Sequence, residues 1–207
     1  MIRAIVSDFG GVLTSPLIEG FLAYQEQTGV TPEDLGKAMA RAQEREGEHP
    51  LFQLERGEIS EEEFGRRLQD TLPENFDLRH LREVYFERLR SNAPMIDFMR
   101  ELRGRGLRMA LCTNNVREWE PLWRAKLPEL DEIFEVVVDS AFVGARKPER
   151  RIFELTLERL GEGVTFGECL LVDDVEVNCD RARELGMKAV RFEETEQTIA
   201  AIERELG

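Results

Sequence analysis

The sequence predicts an α/β fold: a parallel β-sheet with helices on both faces, and a helical segment inserted directly after the first strand. Short apolar runs rich in β-branched residues recur along the chain, with helix-spaced stretches between most of them, and that alternation favours a parallel sheet covered on both sides. The rhythm breaks once, over about residues 16–92, where no convincing strand occurs. A chain of 207 residues is long enough for one such domain with a subdomain inserted into it.

The first run, Ile2 to Ser7, ends at Asp8 and the Gly10-Gly11 pair, which reads as a buried strand and a tight turn. Later strands are expected over Leu107 to Cys112, Phe134 to Val138 and Cys169 to Val172, with a weaker one over Lys188 to Phe192. Helical patterns cover Pro148 to Leu160, Val175 to Leu185 and Thr195 to Leu206. In the interruption, Pro32 behind Thr31 marks a helix start, and Ser60 followed by Glu63 reads as a capping box. Four helices are expected there, at about 17–28, 32–46, 60–71 and 78–90, with a loop carrying His49 between the second and third.

The net charge of −14 argues against nucleic acid and against anionic membranes as partners, because the long-range field repels both. A small anionic substrate remains open to the chain, since a metal or a local Lys inverts the field inside a pocket. Cys112, Cys169 and Cys179 have no metal-ligand spacing and read as reduced thiols. No signal-like apolar stretch and no membrane-length run occurs, so a cytoplasmic location is expected.

Parallel sheets bind ligands at the carboxyl ends of their strands. Those ends are Asp8, Thr113-Asn114-Asn115, the "VVVDSAFVGARKP" stretch that brings Lys147, and Asp173-Asp174 with Asn178 one helical turn on. Three carboxylates at one rim repel, and at least one pKa should rise. A bound Mg²⁺ removes the conflict, because it takes oxygen ligands and shares them with a substrate phosphate. Thr113 and Lys147 then complete an anion cradle with the parts that phosphoryl transfer needs, and Asn114 lies beside them. Asp173-Asp174 also suits the N-terminus of the helix that follows.

Four segments in order, "DFGGVLT", "LCTNN", "GARKPERRIF" and "LLVDDVEVN", resemble the motifs of the haloacid dehalogenase-like (HAD) superfamily. The position of the helical insertion resembles the alpha-helical (C1-type) cap of its phosphatase-like branch. The resemblance implies a Rossmann-like core over 1–15 and 93–207 and a helical cap over 16–92. It implies Asp8 as the nucleophile that forms an aspartyl-phosphate. It implies Mg²⁺ held by Asp8, the Gly10 carbonyl and Asp174, with Asp173 close by. Thr113, Asn114 and Lys147 would bind phosphate, and Asn178 would orient Lys147 or the acidic pair. A small phosphorylated substrate is the implied partner; the oligomeric state is left open.

One position departs from the resemblance. The usual phosphatase motif has a second Asp two residues after the nucleophile, which protonates the leaving oxygen; here that position is Gly10. General acid–base help is worth about 10²–10⁴-fold. Three readings follow: a substrate with an acidic leaving group such as a sugar 1-phosphate, an acid supplied by the cap from Glu19, Tyr24 or His49, or a protein that binds a phospho-ligand without turning it over. A 2-haloacid dehalogenase is a further alternative, disfavoured by the Asp173-Asp174 pair. Trp119 and Trp123 read as packing residues, and His49 as a surface loop residue.

Overall fold

Ala4–Ser7 are buried without exception, the pattern of a strand covered on both faces. In the computed structural model, which describes residues 1–161 and 163–207, this strand, β1, is the centre of a five-stranded sheet. The other strands are β2 (Arg108–Thr113), β3 (Val136–Asp139), β4 (Cys169–Asp173) and β5 (Lys188–Arg191). The order is β3-β2-β1-β4-β5, and every neighbouring pair is parallel. Ser7 is in register with Leu111 and Val172, so β1, β2 and β4 finish close together.

Five helices follow β1: α1 (Ile18–Thr28), α2 (Pro32–Glu46), α3 (Pro50–Glu55), α4 (Glu61–Gln69) and α5 (Leu78–Arg88). They gather around their own apolar cluster, which includes Tyr24, Leu35, Leu54, Phe64, Leu68 and Leu81. Thr31 and Asp34 close a reciprocal capping box at the start of α2. At Ser60 only half of the expected box forms: the hydroxyl accepts from Glu63 N at 3.1 Å, but the Glu63 carboxylate turns to Arg66 and Arg67 at 2.7 and 2.6 Å. Those guanidiniums hold its pKa down at about 2. The segment expected as a loop contains α3, a correction. Pro50 presets its first turn, and Leu54 anchors it in the apolar cluster. The two connections to the sheet layer run side by side. Thr14 and Ser91 form an antiparallel bridge, Ser15 N donates to Arg90 O at 2.7 Å, and Asn92 N donates to Leu13 O at 2.8 Å.

The remaining helices are α6 (Ala93–Gly104), α7 (Glu120–Arg124), α8 (Leu130–Ile133), α9 (Ser140–Val143), α10 (Arg150–Leu160), α11 (Glu176–Glu184) and α12 (Thr195–Leu206). Side chains alternate across a strand. Ile5, Leu111 and Val172 therefore pack on one face with Met99 of α6 and Ile202 of α12, while Val6, Cys112 and Leu171 pack on the other with Phe153 of α10 and Ala182 of α11. Among the described residues no helix is long and apolar enough to cross a membrane.

Candidate active site

Strands that end in register bring their next residues together. Asp8 N donates to Val172 O at 2.9 Å, which sets the first carboxylate beside the end of β4, where Asp173 and Asp174 follow. Oxygens of Asp8, Asp173 and Asp174 lie within 4.8 Å of one another. Lys147 reaches them from the loop before α10. Its Nζ is 2.8 Å from Asp8 Oδ1 and 2.6 Å from Asp173 Oδ2, and its side chain is only 1% exposed.

The electrostatics follow from burial. Burial pushes the Asp8 carboxyl up to about 7, against the pull of Lys147 and with help from Asp173 and Asp174. Burial and Asp173 also raise Asp174. Burial disfavours the charged form of Lys147, but Asp173 and Asp8 outweigh it and hold the ammonium above its ordinary value. Three carboxylates against one ammonium leave a deficit of positive charge in a recess.

The two neighbouring aspartates differ in what they touch. Asp173 is engaged at both oxygens: Oδ1 accepts from Val175 N and from Asn178 Nδ2, each at 2.9 Å, and Oδ2 accepts from Lys147. Among the described residues no side chain donates to the Asp174 carboxylate, which rests on the turn after β1, where a Cβ on Gly11 would stand 2.4 Å from its Oδ2. Gly11 also has φ +77°, a conformation that glycine adopts without steric cost. On Asp8, Oδ1 takes both Phe9 N and Lys147 Nζ, and among the described residues no donor is bonded to Oδ2. An all-oxygen donor set of this kind fits a hard cation such as Mg²⁺.

Thr113 ends β2 and, with Gly10, Asn114 and Asn115, lines a cavity whose walls do not include the three aspartates or Lys147. Asn114 has its amide on the main chain of Lys147: Nδ2 donates to Lys147 O at 3.0 Å, and Oδ1 accepts from Lys147 N at 2.8 Å. It therefore positions the lysine. Of the acidic pair, Asn178 touches Asp173, to which it donates.

The space beside Gly10 is tight: a Cβ there would meet Leu17 Cδ1 at 3.0 Å, so the leucine tip would have to give by a few tenths of an ångström. None of the three side chains expected as a substitute acid lines the cavity. Tyr24 is fully buried among the inserted helices, with its hydroxyl on the main chain of Asp77. Glu19 pairs with Arg90 at 2.7 Å. His49 is half-buried and stacks on Phe52 at 4.5 Å. Besides Glu61, the carboxylate that lines the cavity is Glu55, at the end of α3. Its Oε2 accepts from Arg146 Nε at 2.5 Å, and among the described residues no donor is bonded to Oε1. Burial raises its pKa despite Arg146. Sequence reasoning missed Glu55 because the segment around it reads as a loop. Trp123 packs on Phe9 in the core, and Trp119 packs on Tyr85 and Phe86 while its Nε1 donates to Glu61 Oε1 at 2.9 Å.

Residues 2–186 match the sequence profile of the haloacid dehalogenase-like hydrolases. Bifunctional epoxide hydrolase 2 of Rattus norvegicus is 25% identical over 220 residues, an alignment that covers all of this chain and 39% of that protein. This chain thus spans well under half the length of that relative. A phosphorylated carbohydrates phosphatase of Thermotoga maritima is 26% identical over 192 residues, covering 91% of this chain and 83% of the relative. The structure of a predicted HAD-like family hydrolase from Porphyromonas gingivalis superposes with a TM-score of 0.77 at 27% identity, over 100% of this chain and 98% of that one.

Proposed function

The chain belongs to the haloacid dehalogenase-like hydrolases, and from that premise we propose that it is a Mg²⁺-dependent phosphohydrolase of a small phosphate ester. The observation that carries the reading is the Lys147 ammonium, buried and bridging Asp8 and Asp173 at 2.8 and 2.6 Å beside the free carboxylate of Asp174. Asp8, Asp174 and the Gly10 carbonyl would hold Mg²⁺, with Asp173 behind them; the ion would neutralise phosphate and carboxylate charge.

Each side chain has its own part in the reaction. Asp8 Oδ2, the oxygen with no donor among the described residues, attacks phosphorus in line, so that a bond forms from Asp8 to phosphorus and the ester P–O bond breaks. Lys147 and Thr113 bind the equatorial oxygens. Glu55, protonated, gives its proton to the leaving oxygen in place of the absent Asp at position 10. Water then attacks the aspartyl-phosphate and passes a proton to Glu55, which releases inorganic phosphate and restores Asp8. Residues 16–92 act as the cap that shields these steps from bulk water.

The test is release of inorganic phosphate from alkyl, aryl, acyl and sugar 1-phosphate esters, with Mg²⁺ or chelator, beside Asp8→Asn. Release that needs both Mg²⁺ and Asp8 supports the reading. No release, with a phosphate-dependent rise in melting temperature, would replace it with a binding role.

A further inference from the structure

The cavity that begins at Gly10 and Thr113 extends well past the reacting atoms. It continues among the inserted helices as far as Leu35 and Leu68, with a volume of about 280 Å³. Its walls carry Leu17, Met39, Leu51, Leu54, Phe64 and Trp119. Apart from Glu55, the carboxylate on the wall is Glu61, and both of its oxygens are already taken, by Trp119 Nε1 at 2.9 Å and by Arg82 Nη1 at 2.5 Å. The chamber therefore has one polar end, at Gly10, Thr113, Asn114 and Asn115, which follow Asp8 and the end of β2, and a largely apolar remainder.

A leaving group held there must match that lining. Beyond Thr113, Asn114, Asn115 and Glu55, sugar hydroxyls would give up water and meet an apolar wall, which is unfavourable for each one left unpartnered. Methylene and methyl groups would leave water for a dry wall, which is favourable in proportion to the area covered. The volume lies at the lower edge of the roughly 300–1,000 Å³ typical of small-molecule sites. That suits one chain and excludes a bulky multi-chain or polycyclic group.

We infer that the substrate is a phosphate monoester with a single apolar tail, an alkyl or isoprenyl chain, housed in this chamber while its phosphate meets Asp8 and Lys147. The inference rests on the phosphohydrolase reading above and narrows its substrate class. The sugar 1-phosphate expected from Gly10 is then a poor occupant.

The experiment is a series of n-alkyl monophosphates, below their aggregation limits, assayed for phosphate release with Mg²⁺ beside glucose 1-phosphate and p-nitrophenyl phosphate. Burial of a methylene is worth about fourfold in an equilibrium or rate ratio. The expected result is a rise in kcat/KM of about fourfold per carbon, levelling at roughly ten carbons if each fills about the 30 Å³ that a liquid water fills. Glucose 1-phosphate should fall at least about 100-fold below the best alkyl ester. Met39→Glu, on a half-buried wall position, should flatten the series; its melting curve checks that it folds, and the wild-type series stands alone if it does not. A flat or falling wild-type series with Asp8-dependent release from the other esters overturns the tail and leaves the hydrolase. Absence of Asp8-dependent release from every ester overturns the hydrolase reading and the tail with it.

Discussion

Glu55 Oε2 and Arg146 Nε meet at 2.5 Å across the junction between the inserted helices and the sheet layer, with 15% and 14% of their side chains exposed. Arg146 immediately precedes Lys147, so the pair ties the Glu55 carboxylate of the insert to the loop that carries the buried ammonium.

Glu55→Gln keeps a hydrogen-bond partner for Arg146 but removes the proton. Turnover of alkyl phosphates should fall by about 10²–10⁴-fold, the usual worth of a general acid, while p-nitrophenyl phosphate, whose leaving group needs no proton, should change much less. Adding Gly10→Asp with Leu17→Ala should recover alkyl turnover, since Leu17 is what crowds a Cβ at position 10. Equal losses on both substrates would remove Glu55 from the acid role.

Asp8→Asn should abolish turnover and yet stabilise the metal-free fold at pH 8. Burial raises the Asp8 pKa from 3.8 to about 7. The stability supported by its protonated form is complete below about pH 4 and is lost as pH rises to about 7, at about 1.4 kcal/mol for each pH unit crossed. At pH 8 the wild type has lost all of it, so the variant should unfold later in urea by on the order of 2–4 kcal/mol with chelator present. Saturating Mg²⁺ should narrow or reverse the gap, because the wild type gains binding energy that the variant lacks. A variant less stable than wild type in chelator would contradict this account of the charge balance.

Gly11→Ala should weaken Mg²⁺ binding about 10–100-fold, the typical effect of disturbing a ligand's support. The added methyl would stand 2.4 Å from Asp174 Oδ2 at a residue with φ +77°. Titrating Mg²⁺ against melting temperature would show the change, and an unchanged midpoint would show that Asp174 does not ligate.

Asp139 is buried, and neither its Oδ2 nor the Trp123 indole N–H has a hydrogen-bond partner among the described residues. Burial raises its pKa from 3.8 to about 6. Its contribution therefore falls as pH climbs from about 4 to about 6. Asp139→Asn, which keeps an acceptor for Ala141 N, should be more stable than wild type at pH 7.5 by on the order of 1–3 kcal/mol and nearly equal to it at pH 4. Parallel urea curves at the two pH values measure the difference.

The strand ends were legible because a buried strand that stops at a polar residue announces both its burial and its rim position: Asp8, Thr113 and Asp173 all follow apolar runs. Lys147 was legible only through its register with the other motifs, since a lysine between Arg146 and Pro148 has no signature of burial. The short helix α3 escaped because six residues give less than two turns of periodicity. Glu55 escaped with it, because its partner Arg146 lies 91 positions away and no local pattern links them. The crowding of Gly10 by Leu17 depends on how the chain turns into α1, which spacing does not encode.

Thr14 and Ser91 are bridged, so the chain leaves the sheet layer and returns to it at one place. To the sheet, residues 16–90 are a single loop pinched shut at its base. The entropy of closing such a loop grows only logarithmically, by about 0.6 kcal/mol for each doubling of length. The insert can be lengthened, shortened or grafted from another chain with little strain on the sheet, while Asp8, upstream of the pinch, keeps its place. On the proposed reading, substrate preference and bond-breaking chemistry are partly separable in inheritance, since the insert supplies most of the chamber wall, while the rest of the chain supplies Asp8, Lys147 and the Thr113 and Trp119 side of that wall.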